Sequence, residues 1–542
     1  MNIAYTTGRG WRLAIMGFGV LAASQIGAAP EAAAQDKVTF VYAVPAVAQN
    51  LDPAMWEGDP GRWTKWEQRS NLADYDYAKV EGNGCNDLAS IGDIKLDLAE
   101  SFELSADGSH YTIRLREAKS PYGNVLSAED VKWSFDRHRE LSGVSRNMYF
   151  TQAKYRQQDT IEIVDERTVR LHLERPTSMD VPIHTISAFA LKIYDSTEAR
   201  KHATAEDPWA KNWMAGNTAD YGPWMVERFD PGNEVVYVPN PNYTGERGNI
   251  ERLVIRGIPE SSTRMQLLQA GEIDFTTRLT FDEFQSLQGA PDVVVETCLS
   301  PNRDTLMMQL GDPRFADVRV RQAVSHAIDR EALVNAIYRG FATPSKTSLP
   351  VGYGAPSSGT TFTHDPAAAR RLLAEAGHPN GFEASMLMHS SRPGPHAEQL
   401  AVTLQAQLQQ VGLNWTIEVA PSAADFNTRF QQGRYEAIVY LDPPAVADPL
   451  YTLVNYNAST AAQNTHKYKS DEYDALVTEL ATVLETGAAR DAIVGKIDAV
   501  IMGTMPMIYL VDRNYIHAFR SNVSGFVNAP NGELPGHLLS KE

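Results

Sequence analysis

From residue 253 onward the chain alternates β-strand and amphipathic-helix signals, and this pattern constrains the fold more than any other feature. LVIRGI at residues 253–258 reads as a strand. Ser261 can cap a helix carrying Met265 and Leu268, Gly271 ends it, and EIDF at 272–275 follows as a strand. Asp317 begins a helix with Val320, Ala323, Val324 and Ala327 on one face, and Asp329 caps the next, which stops at Gly340. Residues 382–389 read as a strand, and Ala397, Leu400, Ala401, Leu404, Leu408 and Val411 mark a long amphipathic helix. Residues 414–419 and 435–441 return as strands, with helix signals from 470 to 502. Strands separated by helices imply a largely parallel α/β sheet whose ligand edge lies at the carboxyl ends of its strands.

The earlier region differs. YTIRLR at 111–116 alternates cleanly, and 161–164 with 169–173 reads as a hairpin turning at 165–167, so this part is a mixed, partly antiparallel lobe. A chain of 542 residues exceeds what one core holds and favours two or three lobes.

Forty-nine Lys and Arg stand against 67 Asp and Glu, a formal charge of −18. That balance argues against nucleic acid as a partner, which needs cations to displace counterions. Arg9 and Arg12 precede an apolar run over 13–23, too short for a membrane span, and small residues Ala32 and Ala34 follow. Residues 1–34 therefore read as a signal peptide cut between Ala34 and Gln35. No later run is apolar enough for stable membrane insertion, so the expected destination is the periplasm. Two cysteines, Cys85 and Cys298, remain; a disulfide and two buried thiols are both open.

Catalytic motifs are missing. GVSRN at 143–147 carries Asn147 where a nucleophile elbow needs glycine. There is no HExxH and no P-loop, and the 13 histidines are scattered. The chain reads as a non-enzyme without a cofactor.

Several segments, in order, resemble the bacterial extracellular solute-binding proteins of family 5, the peptide-, opine- and nickel-type receptors of ABC importers. They are LDPA at 51–54, LAESFELSADG at 98–108, SAEDVKWS at 127–134, YGPWMV at 221–226, NPNY at 240–243, QAGEID at 269–274, DVRVRQAVSHAIDRE at 317–331 and LLAEAG at 372–377. Physically most of this is architecture: turns at Asp107-Gly108, Gly222-Pro223 and Pro231-Gly232, and a helix N-cap at Ser127 with Asp130 in the box position.

The resemblance implies an α/β, bilobal periplasmic-binding-protein fold, type II-like and hinged, with an extra mixed α+β subdomain. Lobe I is expected over 36–80, 190–300 and 510–542, the subdomain over 81–189, and lobe II over 301–509. It implies a monomer that closes over a short peptide or other small molecule and delivers it to the ABC permease subunits of the inner membrane. In family peptide binders the stretch before LDP pairs with the ligand backbone, which here means Val47, Ala48, Gln49 and Asn50. Trp56 can stack on ligand or pack in the core. Asn302 and Arg303 are expected beside the cleft, Arg303 to clamp a carboxylate. An Asp shortly before Asp-Pro meets the peptide amine in those binders. Here Asp442 and Asp448 flank a loop whose matching position is Ala445, so Asp442 takes that role only with a rebuilt loop. Tyr440, Tyr451 and Tyr456 are candidate pocket walls. The alternative solutes are an opine, an amino-acid derivative or a nickel chelate, with His389, His396 and His466 the histidines to follow.

Overall fold

The computed structural model describes residues 37–55, 59–65, 67–76, 85, 94–141, 146, 150, 153–175, 192–351, 363–444, 449–461, 463–483, 487–529, 532 and 534–542. The leader with its cut between Ala34 and Gln35, Trp56, Asp448 and the side chain of Tyr451 lie outside the described residues.

The chain enters through β1 (Thr39–Val44). Two short strands, β2 (Ala73–Tyr75) and β3 (Ile94–Leu96), then pair antiparallel. Next come β4 (Ala99–Leu104), β5 (His110–Leu115), β6 (Ile161–Asp165) and β7 (Thr168–His172), an antiparallel sheet in the order β4-β5-β7-β6. Tyr111, Ile113 and Leu115 all point to its buried face, as strict alternation demands. The helix Ala128–Glu140 packs beside it; Asp130 Oδ2 accepts from Ser127 N at 2.8 Å and Ser127 Oγ at 2.7 Å, closing its first turn.

Strands β8 (Trp224–Asp230) and β9 (Glu234–Pro239) are joined through Gly232 at φ 81°, a left-handed turn position. Gly222, just before β8, is glycine for another reason: a Cβ there stands 2.6 Å from the Arg69 carbonyl oxygen. After β10 (Arg252–Gly257) the helix Ser261–Ala270 ends at Gly271, φ 74°. The strand expected at 272–275 is reduced to β11 (Phe275–Thr276), because Glu272 N still bonds the Leu267 carbonyl of the helix cap at 2.9 Å.

The remaining strands are β12 (Val293–Cys298), β13 (Arg303–Met308), β14 (Ala342–Pro344), β15 (Phe382–Met388), β16 (Leu413–Val419), β17 (Ala437–Asp442), β18 (Met507–Arg513) and β19 (Tyr515–Arg520). Asp317 and Asp329 cap their helices through Arg319 N at 2.8 Å and Ala332 N at 2.9 Å. The helix Ala397–Gln409 buries Leu400, Leu404 and Leu408 between β15 and β16.

Two large sheets result: seven strands in the order β12-β19-β11-β1-β10-β9-β8, and six in the order β14-β18-β13-β17-β15-β16. The expectation of largely parallel sheets is corrected. Only β1 with β10 and β11, and β15 with β16 and β17, pair in parallel among the described residues; the other ladders are antiparallel. The chain passes between sheets twice, from β12 to β13 and from β18 to β19. Crossing in opposite directions makes β12 antiparallel to β19 and β13 antiparallel to β18.

This arrangement positions a crevice. Asp442 at the end of β17 faces Arg303 at the start of β13. Thr276 at the end of β11 faces Ala518 in β19, which has just crossed. The carboxyl ends of the parallel strands in both sheets therefore point to the level of the crossings, where two α/β layers form a ligand crevice.

Candidate ligand cleft

On the six-stranded side the crevice edge is a cluster of buried charge. Arg303 and Asp304 open β13, while Asp512 and Arg513 close β18. Arg303 donates to Asp512 Oδ1 through Nη2 at 2.8 Å and Nε at 3.1 Å, and to the carbonyls of Leu349 and Thr347. Its guanidinium lies 4.7 Å from the Tyr509 ring centre. On the opposite face Arg513 Nε stands 3.2 Å from Asp304 Oδ1, and Asp304 Oδ2 accepts from Tyr338 Oη at 2.6 Å and meets His396 Nε2 at 2.7 Å. Burial pushes the Asp304 carboxyl up, but Arg513 and His396 more than offset this and hold it below the usual range. Arg513 also donates to the Pro393 carbonyl at 3.2 Å, tying the second crossing to the loop after β15.

Arg303 is therefore fully buried and committed to Asp512, not positioned to clamp a solute carboxylate. Asn302 is also buried. Its carbonyl accepts from Arg513 N at 2.8 Å, and its Oδ1 has no hydrogen-bond partner. With Arg278, Thr280, His396, Arg513 and Tyr515 it lines a cavity of about 80 Å³ at the crossings. Arg278 sits at φ 57° two residues after β11, a backbone state unusual for a side chain of its size.

Asp442 is different. It is 2% exposed, and its Oδ1 has no hydrogen-bond partner. Burial pushes its carboxyl up to about 6, against the pull of Arg303 and Arg392. Arg392, in the loop after β15, lies 4.2 Å from the Tyr440 ring centre and donates through Nε to the Leu441 carbonyl at 3.1 Å. Tyr440 is sandwiched, with Phe430 stacked at 4.2 Å on another side and Tyr456 edge-on at 6.3 Å. Tyr440 and Tyr456 are thus buried supports of Arg392 and not an open pocket wall. Sequence reasoning missed Arg392; its signal was the RPGP run of residues 392–395 immediately past a strand end.

On the other lobe, Val47 and Ala48 are buried, Gln49 is exposed and Asn50 half-buried. Ala48 N donates to Thr64 Oγ1 at 3.1 Å, and its carbonyl accepts from Gly232 N at 3.0 Å. Both backbone groups are spent inside the protein, so Ala48 offers no free edge to a peptide, contrary to the expectation for that residue. Asp52 of the LDP segment caps Ala54 N at 3.0 Å and pairs bidentately with Arg137 of the helix Ala128–Glu140; both side chains are fully buried.

Cys85 and Cys298 form a disulfide with S–S 2.06 Å. The three histidines considered for a metal have separate surroundings: His389 bonds Ser391 Oγ at 2.7 Å, His396 is held by Asp304, and His466 is buried with its pKa pushed down to about 3 by burial and then Arg321. Among the described residues no three His, Cys, Asp or Glu gather to hold a metal, and no helix is long and apolar enough to cross a membrane.

Two α/β lobes joined by a pair of crossings, an added subdomain, and a charged crevice at the strand ends define a periplasmic-binding-protein fold of the type II-like class. The model of bacterial extracellular solute-binding proteins, family 5 (middle region), matches residues 93–464, and the chain belongs to that family. The family binds solutes and is not one of enzymes. The probable D,D-dipeptide-binding periplasmic protein DdpA of Escherichia coli K12 is 28% identical over 92% of this chain and 93% of its own length. Heme-binding protein A of Haemophilus influenzae is 25% identical over 94% and 93%. The structure of DppA from Helicobacter pylori in complex with the peptide STSA superposes with a TM-score of 0.79 at 25% identity, covering 93% of this chain and 99% of that one.

Proposed function

We propose that the chain is the exported solute-binding component of an ABC importer, and that it captures a peptide or peptide-like solute carrying both an ammonium and an acid group. The observation that carries this reading is the Asp442 carboxyl, buried without a hydrogen bond to Oδ1 at the crevice end of β17, with the Arg392 guanidinium nearby. An arriving ammonium supplies the charge-assisted bonds that Asp442 lacks, and Arg392 offers the acid group a planar donor set. Two similar proteins, the probable D,D-dipeptide-binding protein DdpA and the DppA solved with the peptide STSA, are in keeping with such a solute.

The leader of residues 1–34 sends the mature chain to the periplasm, where it works as a monomer. Closure follows because only the closed state lets the solute touch both lobes, so binding shifts the population. The closed form is what the permease recognises.

The test is a thermal-shift and solution-scattering series on the mature chain with short peptides, each paired with its N-acetylated form. A solute at 100 times its Kd stabilises by about 2.7 kcal/mol, an easily read shift. Free-amine peptides are expected to raise Tm and reduce the radius of gyration, and the acetylated forms to do neither. Equal responses to both forms would remove Asp442 as an ammonium receptor, and saturable binding without compaction would remove hinge closure.

A further inference from the structure

A second cavity, of about 570 Å³, lies away from the crevice. Its walls come from several separate parts of the chain: Arg69 and Asp74, residues 95–98 and 116–119 of the added subdomain, Tyr221, residues 242–248 after β9, and the tail that includes Gly525, His537 and Ser540. The tail is fastened there, since Gly248 N donates to the His537 carbonyl at 2.7 Å and Asn249 Nδ2 to the Lys541 carbonyl at 3.0 Å. The volume falls within the range of roughly 300–1,000 Å³ typical of small-molecule pockets.

The lining is strongly charged and unevenly matched. Five Lys and Arg side chains face four Asp and Glu. Arg69 is bonded to Asp74 at 2.9 Å, which removes one of each. Among the described residues, Lys95, Arg116, Lys119 and Arg247 have no carboxylate at ion-pair distance; Arg116 donates only to the Leu96 and Ala99 carbonyls, and Arg247 lies 5.7 Å from the Trp224 ring centre. Burial pushes the Asp97 carboxyl up to about 7, so part of the opposing negative charge is absent near neutral pH. His537 is held neutral by burial and by Arg69, Lys95 and Arg247, and its buried Nδ1 has no hydrogen-bond partner. In a chain of formal charge −18, this cavity is locally cationic, and its cations come from separate segments, Lys95, Arg116 and Lys119 from one part of the chain and Arg247 from another.

We propose that this cavity is a second solute site, distinct from the crevice, and that it takes a small organic acid with two or more carboxylates. One acid group meets Lys95 and Arg116 on the subdomain wall. Another meets Arg247 and His537 Nδ1. Four cations without a carboxylate at ion-pair distance favour a ligand with two or more acid groups over a single small anion. Because the walls belong to the subdomain, to β9's following loop and to the tail, occupancy fastens the subdomain to its lobe.

The experiment is isothermal titration of the full mature chain with citrate and with succinate as probes, and inorganic phosphate as the contrast. One saturable citrate site is expected, unaffected by Arg392→Ala or Asp442→Ala in the crevice. Lys95→Ala with Arg247→Ala should weaken it by about tenfold or more, through the loss of two charge-assisted contacts. Should Arg247→Ala disturb packing on Trp224, the exposed Lys95→Ala alone gives the same reading in smaller degree. Hydrogen exchange should slow over residues 242–248 and 534–542 when citrate binds. Absence of saturable binding, phosphate binding as tight as citrate, or loss of binding in the crevice variants alone would each overturn the proposal.

Discussion

Arg303 and Asp442 are direct partners across the β13–β17 ladder, yet they form no ion pair: the Arg303 guanidinium turns to the other neighbouring strand and takes Asp512 at 2.8 and 3.1 Å. β13 lies between β17 and β18, so one arginine faces an aspartate on each side and its bidentate geometry serves only one. Asp442 is left buried with an unsatisfied oxygen.

That geometry sets a pH dependence. The Asp442 pKa rises from 3.8 to about 6 on folding, so between those values the folded state holds a proton that the unfolded state has released. Stability from this group is fully present below pH 4 and is lost as pH rises through 6, a change of up to roughly 3 kcal/mol. Asp442→Asn mimics the protonated form. The variant should match the parent in urea unfolding at pH 4 and exceed it at pH 8. Because other titrating groups cancel in the difference, a gap independent of pH would show that the carboxyl is not the source.

A second expectation concerns the LDP segment. Asp52 and Arg137 are both fully buried, and they join the segment after β1 to the helix Ala128–Glu140. Burial pushes the Asp52 carboxyl up, and Arg137 more than offsets it. Removing one member of a buried pair strands the other charge and costs about 3–5 kcal/mol, whereas an apolar replacement of both is far milder. Arg137→Met should therefore lower the unfolding midpoint more than Arg137→Met combined with Asp52→Leu, as a double-mutant cycle reads directly.

Local chemistry was legible in the sequence and long-range pairing was not. Gly271, Asp317 and Asp329 end or cap helices through contacts a few residues away, so their types announced their roles. The hairpin over 161–173 followed from alternation alone. The family resemblance put Arg303 beside the crevice as a carboxylate clamp, but its partner lies 209 residues onward. Asp52 resembled a family marker, while its purpose is a bond to a residue 85 positions away. The parallel expectation failed for a similar reason: strand direction at the crossings is set by which sheet each strand joins, and periodicity carries no information about that.

The disulfide yields the last expectation. Cys298 ends β12 at the first crossing, and its partner Cys85 also accepts Leu299 N through its carbonyl at 2.8 Å. The bridge spans a sequence separation of 213, and on the chain-entropy account closing so long a loop restricts the unfolded chain by roughly 5 kcal/mol. Both cysteines lie outside the six-stranded sheet, so the bridge does not tether one large sheet to the other. Cys85→Ser with Cys298→Ser should therefore lower the urea midpoint strongly and equally with or without reductant, while the parent falls to the same value only when reduced. Solute-induced compaction should persist in the variant. A variant that keeps its midpoint but no longer compacts would mean that the bridge governs the hinge instead of the unfolded chain.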